Sequence, residues 1–187
     1  DSKEARVKVA VIFGTRPEAI KLAPLIKRLQ ASPARFKPIT IVTAQHRQML
    51  DQVLTLFSIR PDHDLDIIRP RQSLAQITAR AITGLDSVLR AAKPDFVVVQ
   101  GDTSTAYAGA LAARDHEIPL AHVEAGLRTV NPMRPFPEEA FRRRIAPIAR
   151  WHFAPTQGAA ANLFSEGIAQ TCVHVVGNTV IDELRLA

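Results

Sequence analysis

The sequence predicts an α/β fold, a doubly wound parallel sheet of Rossmann-like type with right-handed crossovers. Three observations predict it. Short β-branched apolar runs recur along the chain, amphipathic stretches of helix length separate them, and each run ends in a polar or glycine-containing turn.

Val7 to Phe13 is a continuous apolar run ended by Gly14, the pattern of a strand buried on both faces. Pro17 suits a first helical position, and Ile20, Leu22, Ala23, Leu25, Ile26 and Leu29 keep one face apolar until Ser32 and Pro33. Ile39 to Thr43 predicts a second strand, and His46 to Phe57 a helix with Met49, Leu50, Val53, Leu54 and Phe57 inward. A short strand is expected around Leu65 to Ile68, after which Ser73 opens a helix running to about Ala92. Phe96 to Val99 and Leu120 to Val123 read as buried strands entered through Pro94 and Pro119, with a helix from Thr103 to Arg114 between them. The polar stretch from Gly126 to Pro137, which contains Pro132 and Pro135, is long for a connection and is therefore a candidate functional loop. A helix restarts at Pro137 and is expected to end by Arg150, with a bend at Pro147. A strand Trp151 to Ala154, a helix near Gln157 to Glu166 and a strand Val173 to Val176 follow, and Gly177, Asn178 and Thr179 introduce one more helical start.

With 187 residues and 47% apolar content the chain can bury a sizeable core as a single domain. No apolar run approaches the roughly 18 to 20 residues that cross a bilayer, so no membrane anchor is expected. Cys172 is the single cysteine, which rules out an internal disulfide and a cysteine-rich metal site and fits a reducing, cytoplasmic setting. His46, His63, His116, His122, His152 and His174 show no close ligand spacing, so no metal is expected. A net charge of +6 with 5% aromatic residues favours a phosphate-bearing small molecule over nucleic acid, whose bases need stacking platforms.

Open α/β sheets bind ligands beyond the carboxyl ends of their strands. Those ends carry Gly14-Thr15-Arg16-Pro17-Glu18, Gly101-Asp102-Thr103-Ser104-Thr105 and Glu124-Ala125-Gly126-Leu127-Arg128. Asp102 fits either an N-cap or an acid of a site, and Glu124 either a salt bridge with Arg128 or a working carboxylate. Two acids on neighbouring strand ends point to proton transfer. Glu138 and Glu139 sit in a first helical turn and could equally pair with Arg142 and Arg143, the arginine run then forming a solvated face. Arg16 and Lys21 suit a diphosphate or carboxylate. Neither GxGxxG nor GxxxxGK[ST] is present, so no dinucleotide fingerprint or P-loop is expected.

Six segments together carry a resemblance: Phe13 to Lys21, Thr43 to Asp51, Gly101-Asp102-Thr103, His122 to Thr129, Pro137-Glu138-Glu139 and Gly177 to Asp182. On these the chain resembles the bacterial non-hydrolysing UDP-N-acetylglucosamine 2-epimerases over nearly its whole length. The resemblance implies the amino-terminal half of a GT-B-type two-domain enzyme. Residues 1–178 would form the Rossmann-like domain and 179–187 the start of a linker helix, with the UDP-binding carboxyl-terminal domain absent and this chain inactive alone. It implies interconversion of UDP-N-acetylglucosamine and UDP-N-acetylmannosamine for cell-surface polysaccharide synthesis, by elimination and re-addition of UDP through a 2-acetamidoglucal. No redox cofactor or metal is implied, and the full-length enzyme would be a homodimer. At the matching positions Asp102, Glu124 and Glu138 are the catalytic carboxylates. Arg16 and Lys21 contact substrate with Asp102 and Glu124, and Gln45, Gln48, Arg71 and Glu138 form an allosteric pocket for a second UDP-N-acetylglucosamine. Two positions depart from the pattern: Phe141 replaces the usual Asn, and Pro147 interrupts a helix that is commonly continuous. The competing readings are a GT-B glycosyltransferase half, a hydrolysing 2-epimerase and a non-catalytic nucleotide-sugar sensor.

Overall fold

The computed structural model describes residues 6–179. In chain order the elements are β1 (Val7–Phe13), α1 (Arg16–Gln30), β2 (Phe36–Val42), α2 (Arg47–Leu56), β3 (His63–Asp64), α3 (Leu74–Ala92), β4 (Phe96–Gln100), α4 (Ser104–Asp115), β5 (Leu120–Val123), α5 (Glu138–Ile145), β6 (Trp151–Ala154), α6 (Gln157–Ser165) and β7 (Val173–Val175). The strands form one sheet in the order β3-β2-β1-β4-β5-β6-β7, and every pairing is parallel. The expected doubly wound architecture is therefore present, with the order reversing between β1 and β4.

Alternate residues of β1 feed two cores, as the two-residue period of a strand requires. Ala10 and Ile12 pack under α3 and α4 beside Leu85, Leu89 and Ala108, while Val9, Val11 and Phe13 pack under α1 and α2 beside Leu22, Ile26 and Leu50. Helix α4 buries mostly alanine and glycine, so it lies close on the sheet: a β-carbon at Gly109 would sit 2.8 Å from Val99 Cγ1. The α1 side of the sheet also opens into a cavity of about 530 Å³, walled by Leu25, Phe96, Val123, Trp151 and Phe153.

Several boundaries differ from expectation. β2 starts at Phe36, three residues early, because Val7 to Val9 of β1 pair with Phe36 to Pro38. The short strand expected at Leu65 to Ile68 is instead His63–Asp64, paired with Ile41 and Val42. Ser73 does open α3, its hydroxyl accepting from Gln76 N while the Gln76 side chain accepts from Ser73 N. Helix α5 stops at Ile145 rather than Arg150, since Pro147 has no N–H to return to the carbonyl of Arg143. Phe141, one of the two positions at which the resemblance is broken, is buried and stacks on Tyr107 with ring centroids 4.9 Å apart. The linker helix expected over 179–187 lies outside the described residues apart from Thr179. No helix among the described residues is long and apolar enough to cross a membrane.

Candidate active site

The loops that follow β1 and β4 meet at the point where the strand order reverses. Gly14 makes the approach possible, because a β-carbon there would stand 2.0 Å from Thr43 Oγ1 and 2.5 Å from Thr105 Oγ1. Thr105 donates its hydroxyl to Gln45 Oε1 at 3.2 Å, so Thr43 is the donor in the 2.8 Å contact with Thr105. Gln45 is thereby tied to the first turn of α4.

Glu18 joins the two loops. Its Oε2 accepts from the Gly14 amide at 3.0 Å and from the Thr15 amide and hydroxyl at 2.8 Å, and its Oε1 accepts from Thr103 Oγ1 at 2.7 Å. Complete burial pushes its carboxyl up from the ordinary range, against the opposing pull of those four donors. Sequence reasoning gave Glu18 no role, although the Thr15-x-x-Glu18 spacing of a capping box was there to be read.

Asp102 follows Gly101, whose φ of 71° turns the chain out of β4. The carbonyl of Gly101 accepts from His122 Nε2 at 2.7 Å, which fixes the histidine tautomer. His122 is buried on β5, and burial lowers its pKa to about 4. Asp102 is not the N-cap of α4: Thr103 is, accepting from Ala106 N at 3.0 Å. The Asp102 carboxylate instead meets Arg142 of α5, with Nε at 2.7 Å and Nη2 at 2.5 Å from Oδ2. Arg142 Nη1 reaches Glu139 at 3.2 Å, and the fully buried Glu139 also takes Arg143 Nε at 2.9 Å. The arginine run is thus not simply a solvated face, because Arg142 turns into the site.

Glu124 follows β5 directly at a φ of 63°, the left-handed region that a residue with a β-carbon rarely adopts. Its partner is Lys21 of α1, with Nζ 2.5 Å from Oε2. The alternative pairing with Arg128 does not form, since Arg128 lays both arms of its fork on Glu166 at 2.7 Å. Glu138 is the first residue of α5, half-buried and four residues before Arg142, hence on the same helix face. Arg16 is exposed at the first position of α1, and Gln48 is exposed in the first turn of α2. Arg71 is exposed between β3 and α3 at a φ of 56°. Asp102 and Glu124 therefore follow the neighbouring strands β4 and β5, Lys21 stands against Glu124, and Arg16, Gln48 and Arg71 lie in the segments that follow β1, β2 and β3. No cluster of three or more His, Cys, Asp or Glu among the described residues is arranged to hold a metal.

Two carboxylates following adjacent strands, each against a cation, are groups of the kind that exchange protons with a bound ligand. The chain was also compared with known proteins. The family model for UDP-N-acetylglucosamine 2-epimerase matches residues 27–187. A probable UDP-N-acetylglucosamine 2-epimerase of Ralstonia solanacearum is 54% identical over 95% of this chain and 47% of its own length. The UDP-N-acetylglucosamine 2-epimerase of Neisseria meningitidis is 52% identical over 97% of this chain and 48% of its own. A crystal structure of the Neisseria meningitidis enzyme bound to UDP-GlcNAc superposes with a TM-score of 0.91 at 52% identity, covering 96% of this chain and 49% of that one. The Methanocaldococcus jannaschii enzyme in complex with UDP-GlcNAc and UDP gives 0.90 at 38%, over 96% of this chain and 49% of that one. MurG of Acinetobacter baumannii, 16% identical with a TM-score of 0.65, covers 93% of this chain and 45% of its own and shares the fold alone. The chain spans about half the length of the curated relatives it matches. It belongs to the UDP-N-acetylglucosamine 2-epimerase family.

Proposed function

We propose that this chain is the amino-terminal domain of a non-hydrolysing UDP-N-acetylglucosamine 2-epimerase, which interconverts UDP-N-acetylglucosamine and UDP-N-acetylmannosamine. The observation that carries the reading is the pairing of Asp102 with Arg142 and of Glu124 with Lys21 at the ends of β4 and β5. One carboxylate takes the C2 proton as the C1–O bond to UDP breaks, leaving a 2-acetamidoglucal. Return of a proton to the opposite face of C2, with UDP adding back at C1, completes the inversion. Glu138, one turn before Arg142 on α5, is assigned to the same catalytic set, and Arg16 and Lys21 to positive charge toward the diphosphate. Gln45, Gln48, Arg71 and Glu138 are assigned to a second, regulatory nucleotide-sugar pocket, and the remaining half of the GT-B-type protein to UDP binding.

The test is solvent deuterium incorporation at C2 by the full-length protein in D₂O. Asp102→Asn, Glu124→Gln and Glu138→Gln should each slow incorporation by about 100-fold or more, the usual contribution of a positioned acid or base. Wild-type incorporation in all three, or release of free N-acetylmannosamine in place of the epimer, would overturn the reading.

A further inference from the structure

We infer that Arg142 is a positioning residue for Asp102, aiming its carboxylate, and that the buried Glu139 fixes Arg142 from behind. The inference rests on the proposed role of Asp102 in moving the C2 proton.

The geometry divides the guanidinium between two acids. Nε and Nη2 both converge on Oδ2 of Asp102, at 2.7 and 2.5 Å, while Nη1 turns back to Glu139 Oε2 at 3.2 Å. Two donors on one carboxylate oxygen fix the position of Oδ2 and leave Oδ1 as the oxygen that Arg142 does not engage. A reacting proton is best met by an atom whose direction is set in advance, because misplacement by about 1 Å can cost about 100-fold in rate.

The support behind Arg142 is unusual for a helix of eight residues. Glu139 is 0% exposed in its first turn, yet its side chain takes two arginines, Arg142 and Arg143. A buried carboxylate is tolerated when its cations and hydrogen bonds are complete, so Glu139 holds Arg142 in one rotamer. Arg143 in turn reaches Glu166, which also receives Arg128, so the last turn of α5 is tied to the loop after β5 and to the end of α6. From the sheet side, His122 holds the Gly101 carbonyl, the peptide next to Asp102. Lysine could not replace this arrangement, because a single ammonium lacks the planar fork that reaches both acids.

The experiment compares Arg142→Lys, Arg142→Ala and Glu139→Gln in the full-length protein by steady-state epimerisation, with the thermal midpoint of each recorded. Arg142→Lys keeps the charge that Glu139 needs and serves as the variant most certain to fold. Its kcat should fall about 10- to 100-fold with KM moving less than about threefold. Added guanidinium should restore part of the rate to Arg142→Ala and none to Asp102→Asn. Full kcat in Arg142→Lys, a loss confined to KM, or no response of Arg142→Ala to guanidinium would overturn the inference. Should Asp102→Asn itself exchange C2 at the wild-type rate, the underlying reading falls instead.

Discussion

Glu124 occupies a backbone conformation that works against its own side chain. At a φ of 63° the β-carbon crowds the following carbonyl, a cost of about 1 to 2 kcal/mol for a residue that is not glycine. Asparagine tolerates this region better, while its shorter, uncharged side chain gives up the Lys21 pair. That pair is about one-fifth exposed on each side and contributes at most about 1 kcal/mol. The two changes nearly cancel. Glu124→Asn should therefore keep the urea unfolding free energy within about 1 kcal/mol of the parent while slowing C2 exchange by about 100-fold or more. A large loss of stability with exchange intact would make Glu124 a structural residue, and the strain at this position would then need another reason.

Helix α5 is where local and distant forces separate. Glu139→Gln removes the carboxylate that two arginines share inside the fold, leaving Arg142 against Asp102 alone. With Arg142 and Arg143 both partly exposed, the cost should lie near the low end of a broken buried pair, about 2 to 3 kcal/mol, read as a shift in the urea midpoint. The same element explains what the sequence disclosed. Glu139 and Arg143 stand four apart on one helix, so their pairing was legible from spacing, as were the strands Leu120–Val123 and Trp151–Ala154 from their apolar runs. Spacing misled at Glu124, where Arg128 is near in sequence but Lys21, 103 residues away, is near in space. Arg142 likewise meets Asp102 across 40 residues. Acids at strand ends announce themselves by contrast with the run before them, but their cations arrive from other elements. β3 was expected two residues too late, at Leu65, for a related reason: His63 and Asp64 pair with the edge of β2 by backbone alone and carry no apolar alternation.

For the molecule as a whole, the buried histidines of the sheet make stability depend on acid. His122 and His152 are register partners on β5 and β6, and burial is the main cause of the lowered pKa of each. In the folded chain His122 titrates at about 4, against 6.5 when unfolded, so between these values the unfolded chain binds the extra proton. Stability is then fully present above pH 6.5 and is lost as pH falls toward 4. The physical reason is local. Nε2 already serves Gly101, Nδ1 has no partner, and Arg128, Arg142 and His152 add repulsion to any positive charge on the ring. Glu18 acts in the opposite sense, since its raised carboxyl favours the protonated fold as the medium acidifies. A single pH curve would mix these contributions, so the variant His122→Asn is needed to isolate one. From pH 7 to pH 5 the parent should lose about 2 kcal/mol more unfolding free energy than His122→Asn, the linkage expected of one such group. Parallel curves for the two proteins would mean that His122 keeps its proton equilibrium on folding, and that its bond to the Gly101 carbonyl survives the added charge.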